Sequence, residues 1–450
     1  MRKIPDVTPP ENITPRTLAI VEQKRTYELI TPLYGGGVEV NEADPVTVVR
    51  ATEIRGQLRF WWRVMRGGQL ADNPTMKERE DAIWGKAYKK GDAGIPSDRI
   101  IQIVVDVVKQ GTPTKPFRMR GRNPVGFNEI PEYVAFPLQP DQHEREKPNP
   151  SIPDVRQGVQ FTLTITYPTH LSEKIEEEIE AALWAWETFG GLGARTRRGF
   201  GALHLVAING EPYQSLPTSR DVERWIRDQV SKYSKGGSFP PGVPHLNNTL
   251  QLAVMPPPLP DSNPMKAWNR LIRKLQSFRQ QKDANNRSAW PEADTIRAIG
   301  KDSAPRIQKF PRAAFGLPII FHFTGKDAPA GNYTLNEAET GREDRPNKER
   351  FASPLILRPF LCSDNRAVGL ALLLEGSRVD LRNLVLQDDR KGKDPQKVNN
   401  TSTLNGVLSP GEARALAQKS ADAREGTDAL RALQNETDVL HAFLKSVKGV

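Results

Sequence analysis

Apolar residues in segment 51–68, ATEIRGQLRFWWRVMRGG, recur at helical spacing: Ile54, Leu58, Trp61, Trp62 and Met65 form one stripe. Arg55, Arg59, Arg63 and Arg66 form a second stripe beside it. The pattern predicts an amphipathic helix with a buried face, into which both tryptophans fall, and a neighbouring row of guanidinium groups. Upstream, 26–33 alternates into a strand that meets Tyr34, Gly35, Gly36 and Gly37. Residues 76–84 extend the helical pattern. Residues 100–108 are β-branched and apolar, and 159–167 alternates as VQFTLTITY; both read as strands, as does 202–208. Residues 172–189 read as a helix with Ile175, Ile179, Ala182, Trp186 and Phe189 on one face. Ser172 is its expected cap, and Glu176, Glu177 and Glu178 its solvated face. Residues 118–152, rich in Pro, Gly and charge, read as loop with a short strand near 133–136.

The second half begins with a linker helix at 221–233 and a Gly/Pro-rich boundary at 236–244. Strands are predicted at 249–255, 318–323, 354–360 and 368–375. Helices are predicted at 265–282, 412–419 and 423–448, and polar, mobile insertions at 325–350 and 387–406. The first half runs β-α-β-β-α-β, the ferredoxin-like or split βαβ order. The fold class expected is α+β: two ferredoxin-like domains in tandem, the second elaborated with extra helices. The expected division is an N-terminal extension at 1–23, domain 1 at 24–215, a linker at 216–245, domain 2 at 246–380, and a polar segment with C-terminal helices at 381–450.

The chain has 450 residues, with 64 Lys+Arg against 54 Asp+Glu, a net charge of +10. That balance favours polyanionic partners. A single cysteine, Cys362, excludes an internal disulfide framework and a thiolate cluster for zinc. The N-terminus lacks the apolar stretch of a signal peptide, and no run of 18 apolar residues is present. A reducing, cytoplasmic location without membrane contact is expected.

The arginine stripe reads either as a solvated face or as a rail for an anionic ligand. Within the segment only Glu53 is acidic, and it lies on another side of the helix, which favours the rail. The second signal is the loop 190–201, GGLGARTRRGFG. Its glycines, Gly191, Gly193 and Gly199 among them, allow close backbone approach, and Arg195, Arg197 and Arg198 add charge. Gly190 is also placed to end the preceding helix. The loop leads from a helix into a strand and lacks G-K-[ST], so it is not a Walker A loop. Arg198-Gly199-Phe200-Gly201 matches only the first half of an RNP1 motif, on the wrong strand. None of the six histidines has metal-ligand spacing, and no convergent carboxylates or G-x-S-x-G are present. No cofactor, metal or enzymatic activity is expected.

ITPLYGGG, EIRGQLRFWWRVMRGG and GGLGARTRRGFG together resemble the RAMP superfamily of CRISPR proteins. RSAWPEADTIR (287–297), FPRAAFGLPIIF (310–321) and RFASPLILRPF (350–360) resemble the family of first subunits of the Cmr complex, the type III-B effector. The resemblance implies a non-catalytic subunit of an RNA-guided ribonucleoprotein in antiviral defence. It implies guide and target RNA as partners, with other Cmr subunits, above all a neighbouring RAMP subunit. The RNA-binding residues expected are Gly35, Gly36, Gly37, Arg55, Arg59, Arg63, Arg66, Gly191, Gly193, Arg195, Arg197, Arg198 and Gly199. The alternatives are a guide-processing endoribonuclease, with His170 or His204 as acid or base, and a scaffold that binds only protein.

Overall fold

Strand β1, Ile20–Leu29, lies at the centre of a five-stranded antiparallel sheet. The computed structural model describes residues 19–37, 43–44, 46–70, 72–86, 101–247, 249–258, 263–299, 309–323, 329, 332–338, 350–376, 378–388, 404–421 and 429–449. After β1 come helices α1 (Ala51–Arg66) and α2 (Asn73–Trp84), then strand β2 (Gln102–Thr114). A hairpin follows, β3 (Phe117–Arg120) and β4 (Asn123–Gly126), with two short helices, α3 (Glu132–Ala135) and α4 (Gln142–Arg145). Strand β5 (Val155–Pro168), helix α5 (Ser172–Phe189) and strands β6 (Leu203–Ile208) and β7 (Glu211–Pro212) complete the first half. The sheet order is β2-β5-β1-β6-β7, with antiparallel neighbours throughout.

Alternation decides which face of this sheet is covered. Tyr27 and Leu29 of β1 and Phe161, Leu163 and Ile165 of β5 point into one core with α1 and α5. Tyr27 stands opposite Phe161, with ring centroids 5.1 Å apart. On the opposite face Thr26, Glu28, Gln160 and Thr162 are half-buried polar residues. All five apolar residues of the α1 stripe, Ile54, Leu58, Trp61, Trp62 and Met65, are buried in that core.

The second half starts with α6 (Val222–Tyr233), β8 (Gln251–Met255), α7 (Pro264–Arg279) and α8 (Pro291–Ile299). Strands β9 (Ile319–Phe321), β10 (Tyr333–Glu337), β11 (Leu355–Leu361), β12 (Ala367–Leu373) and β13 (Leu384–Asp388) follow. Helices α9 (Pro410–Ala421) and α10 (Val439–Lys448) close the described chain. One antiparallel sheet has the order β11-β12-β8, and a smaller one the order β13-β10-β9. Leu252, Ile356, Leu370 and Leu372 of the larger sheet join the core of the first half. Ala253, Leu355, Leu357 and Leu373, on its other face, join α7 and α10. Burial on both faces explains why β12, AVGLALL, is continuously apolar rather than alternating. The chain is thus a mixed α+β protein with antiparallel sheets.

Several local expectations change. Residues 133–136 lie in a helical turn rather than a strand, and segment 118–152 contains the β3–β4 hairpin. The polar insertions contribute strands β10 and part of β13. Of the helix expected over 423–448, residues 423–428 lie outside the described residues; among those described, Arg431–Gln434 forms a short 3-10 turn and Val439–Lys448 is α10. The expected cap side chain of Ser172 lies outside the described residues; Leu171 holds the N-cap position of α5. Among the described residues no helix is long and apolar enough to cross a membrane.

Candidate nucleic-acid interface

Helix α1 places its arginines against α2, α5 and the loop before β2, not along an open face. Arg55 donates to the Trp84 and Ile101 carbonyls at 2.8 and 3.1 Å. Arg59 is paired with Glu80 and Asp81, the latter at 2.8 Å, and donates to the Gly85 carbonyl at 2.7 Å. Arg63 reaches Glu80 at 2.8 Å. Arg66 is buried, with Glu178 at 2.7 Å, Glu177 at 3.1 Å and the Tyr233 carbonyl at 2.9 Å. Burial works against the Arg66 charge, but Glu178 and Glu177 hold it above its ordinary range. The stripe expected as a solvent-facing rail is therefore the interior of a charged network. Its acids come from other helices, so spacing along α1 does not reveal them. Glu178 is likewise not solvated: it is buried and also accepts from Trp62 Nε1 at 2.6 Å.

The glycine-rich loop is packed just as closely. Gly190 follows the last turn of α5, with φ −89°, and its amide donates to the Trp186 carbonyl at 2.8 Å. A Cβ there would lie 2.7 Å from Trp61 Nε1. Gly191 forms an antiparallel bridge with Ala202, closing the loop at its base. Gly199 has φ +88°, and its missing Cβ leaves room for the indole of Trp268, which donates to the Arg198 carbonyl at 2.7 Å. Arg197 donates to the Ser353 carbonyl at 2.5 Å, and Arg198 to the Leu355 carbonyl at 2.7 Å. Burial and the Arg279 charge push Arg198 down to about 9. Arg197, Arg198 and Gly199, expected to face a phosphate backbone, instead dock the loop onto the chain entering β11. Arg195 differs: its guanidinium lies 4.6 Å from the ring centroid of Phe136, which is 56% exposed.

Three of the expected elements do converge. The Gly193 amide donates to Glu53 Oε1, on the first turn of α1, at 2.5 Å. The Ala194 amide donates to the Tyr34 carbonyl at 2.6 Å. A Cβ on Gly36, where φ is +93°, would sit 3.6 Å from Gly193 Cα, and Arg50 holds the Gly36 carbonyl. Burial raises the Glu53 carboxyl, against the pull of the Gly193 amide and Arg50. The interior of this junction thus holds a carboxylate beside Arg50, and further cationic groups stand at its rim. The rim has Arg195 on Phe136, and Arg197 lying 5.7 Å from the Phe60 ring.

The two histidines weighed for catalysis lie on different elements. His170 is exposed at the turn before α5. His204 sits on β6 opposite Glu28, with its affinity for a proton lowered by burial and by the Arg358 charge. Among the described residues no group of three His, Cys, Asp or Glu side chains is placed to hold a metal ion. Sequence reasoning gave no role to Arg358, which is fully buried and binds the glycine loop. Its signal is an arginine inside the apolar run LILRPFL.

Residues 26–204 match the model of the RAMP superfamily. Over 188 residues the chain is 25% identical to the CRISPR system Cmr subunit Cmr1-2 of Pyrococcus furiosus, a stretch covering 40% of this chain and 93% of that protein. Among solved structures, the crystal structure of apo Cmr1 from Pyrococcus furiosus aligns with a TM-score of 0.46 and 18% identity, over 83% of this chain and 92% of that one. A cryo-EM structure of the type III-B Cmr-beta complex bound to cognate target RNA contains a chain aligning with a TM-score of 0.47 and 12% identity, over 80% of this chain and 97% of that one.

Proposed function

We propose, from the match of residues 26–204 to the RAMP superfamily model, that the chain is a non-catalytic, RNA-binding subunit of a type III-B Cmr effector acting in the cytoplasm. The observation that carries this reading is the match to a Cmr subunit over 93% of that subunit's length. The net charge of +10 supports a polyanionic partner. In this reading the chain is built on two tandem ferredoxin-like units, binds guide and target RNA, and neighbours another RAMP subunit.

The candidate contacts divide by geometry. Gly35, Gly36, Gly37 and Arg195 are the proposed contacts at the rim. Arg55, Arg59, Arg63, Arg66, Arg197, Arg198, Gly191, Gly193 and Gly199 act by holding that rim in place. The test is binding of the purified chain to labelled single-stranded RNA across a salt series. Weak sequence preference is expected, with a log–log slope of roughly −0.7 for each phosphate neutralised. A salt-independent isotherm refutes the reading. The same RNA incubated with the chain should stay intact; cleavage abolished by His170→Ala or His204→Ala would establish the endoribonuclease instead.

A further inference from the structure

We propose that the β3–β4 hairpin is a single-stranded RNA contact, in which Arg118, Arg120 and Arg122 neutralise phosphates and Phe127 stacks on a base. The proposal rests on the RNA-binding reading above and assigns it to a site outside the glycine loop and α1.

The base of the hairpin is clamped. Phe117 is buried with Ile130, Val134 and Leu138. The Phe127 amide donates to the Pro116 carbonyl at 2.9 Å, the Gly126 amide to Glu132 Oε2 at 3.0 Å, and Asn128 Nδ2 to the Lys115 carbonyl at 3.0 Å. A two-stranded hairpin is marginal by itself, so this anchoring fixes its direction. The tip is a two-residue turn in which Gly121 takes φ +61° while Arg122 does not enter the left-handed region, the II′ pattern.

The tip and one face are cationic. Arg118, Arg120 and Arg122 are all exposed. Arg118 and Arg120 are two residues apart on one strand and share a face, roughly 6.7 Å from each other along the chain. That is the scale of neighbouring phosphates on an extended strand. Among the described residues no carboxylate forms an ion pair with any of the three, whereas Arg59, Arg63 and Arg66 of α1 are all paired with carboxylates. Among the described residues Arg118 has an aromatic neighbour instead: its guanidinium lies 5.5 Å from the centroid of Phe127, a ring 40% exposed. Downstream of the hairpin, the exposed Phe136 ring is covered in the same way by Arg195 of the glycine loop. Guanidinium groups alternating with exposed phenyl rings fit a chain of phosphates and bases better than an acidic protein surface, which offers nothing for the rings to stack on.

The test compares the full-length chain with Arg118→Ala/Arg120→Ala/Arg122→Ala and with Phe127→Ala. Affinity for a fluorescein-labelled single-stranded RNA of mixed sequence is read by anisotropy across a salt series. The triple variant should bind at least tenfold more weakly, with the log–log salt slope reduced by roughly 2, at unchanged melting temperature. Phe127→Ala should weaken binding with the slope unchanged, and Phe127→Trp should restore it. If the wild type binds RNA and the triple variant binds equally well, the hairpin assignment is overturned and the RNA-binding reading stands. If the wild type does not bind RNA, both fall. If a poly-glutamate competitor displaces the RNA as well as unlabelled RNA does, the hairpin is a general docking site for acidic chains, which also overturns the assignment.

Discussion

The guanidinium of Arg358 lies 2.9 Å from the carbonyl oxygen of Gly190, at the end of α5. The same side chain donates to the Glu187 carbonyl at 2.8 Å and the Leu203 carbonyl at 2.6 Å. It projects from β11, in the second half of the chain, into the first. There it takes up carbonyls that the last turn of α5 leaves without helical partners, and sets a positive charge at the negative end of that helix. Burial pushes Arg358 down to about 9, so it remains charged at neutral pH. The two halves therefore meet through a buried charge as well as through apolar packing.

Replacing Arg358 by Met should remove on the order of 3 kcal/mol or more of stability, because several buried acceptors lose their donor together. Arg358→Lys should recover only part of the loss, since an ammonium cannot span three separate carbonyls with one planar fork. Calorimetric melting of the three proteins checks this. Equal melting temperatures for wild type and Arg358→Met would rule out the capping role.

The α1 arginines should behave as structural groups. Arg59→Ala should lower stability by about 1.5–3 kcal/mol, the scale of a hydrogen bond to a charged partner, and leave the salt slope of RNA binding unchanged. Glu80 is 3% exposed and is shared by Arg59 and Arg63. Glu80→Gln should therefore be destabilising as well, and the double variant should lose less than the two singles added together. Denaturant unfolding of the cycle gives the coupling energy. Additive losses would show that the network does not act as a unit.

Legibility followed the range of the interactions. The α1 stripe was readable because Ile54, Leu58, Trp61, Trp62 and Met65 encode their burial in local spacing alone. The partners of its arginines were not, since Glu80 and Glu178 stand 21 residues from Arg59 and 112 from Arg66. A search at i,i+4 within one helix misses any ion pair formed between helices. Glycines 193 and 199 announced unusual backbone and close approach, but not what approaches: in the fold it is Tyr34 and Trp268 of the same chain. The β3–β4 hairpin was hidden by composition, because FRMRGRNPVG has the Gly, Pro and charge content of a loop. Its one strong signal, a Gly at the turn between two short extended runs, is too local to stand out.

The N-terminus of α10 should be acid-sensitive. Asp438 accepts from the Leu440 and His441 amides at 2.8 and 3.1 Å, and pairs with Arg378. Burial alone would raise its carboxyl, but the charges of Arg378 and His441 outweigh it and hold Asp438 below the usual range. Glu375 shares Arg378, and Glu436 accepts the Asp438 amide, so both acids face the same cluster. A depressed folded value means that the unfolded chain binds the proton more readily. The stabilisation from Asp438 is thus complete above its unfolded value of about 4, and is lost as pH falls through the lower folded value. Asp438→Asn should melt about 2–4 °C below wild type at pH 7. The gap should narrow in strong acid. A gap independent of pH would mean that the charge at this position contributes nothing.

Two glycines give opposite expectations from the same substitution. Gly199 sits at φ +88°, and a Cβ added there would lie 2.5 Å from Trp268 Nε1 and 3.0 Å from the Leu357 carbonyl. Gly199→Ala thus combines left-handed strain with a collision against a fully buried indole, so the loop must lift from the second half. A loss of about 2–4 kcal/mol follows, with the Trp268–Arg198 hydrogen bond broken. Gly56 lies in the middle of α1 on an exposed position, and a Cβ there would meet nothing within 4 Å. Gly56→Ala removes backbone freedom from the unfolded chain without a steric cost, and should stabilise by up to about 1 kcal/mol. Denaturant unfolding of both variants, with tryptophan fluorescence to report on Trp268, separates the two effects. A neutral Gly199→Ala would mean that the glycine loop does not dock on Trp268, and the loop arginines would then be released to face a ligand.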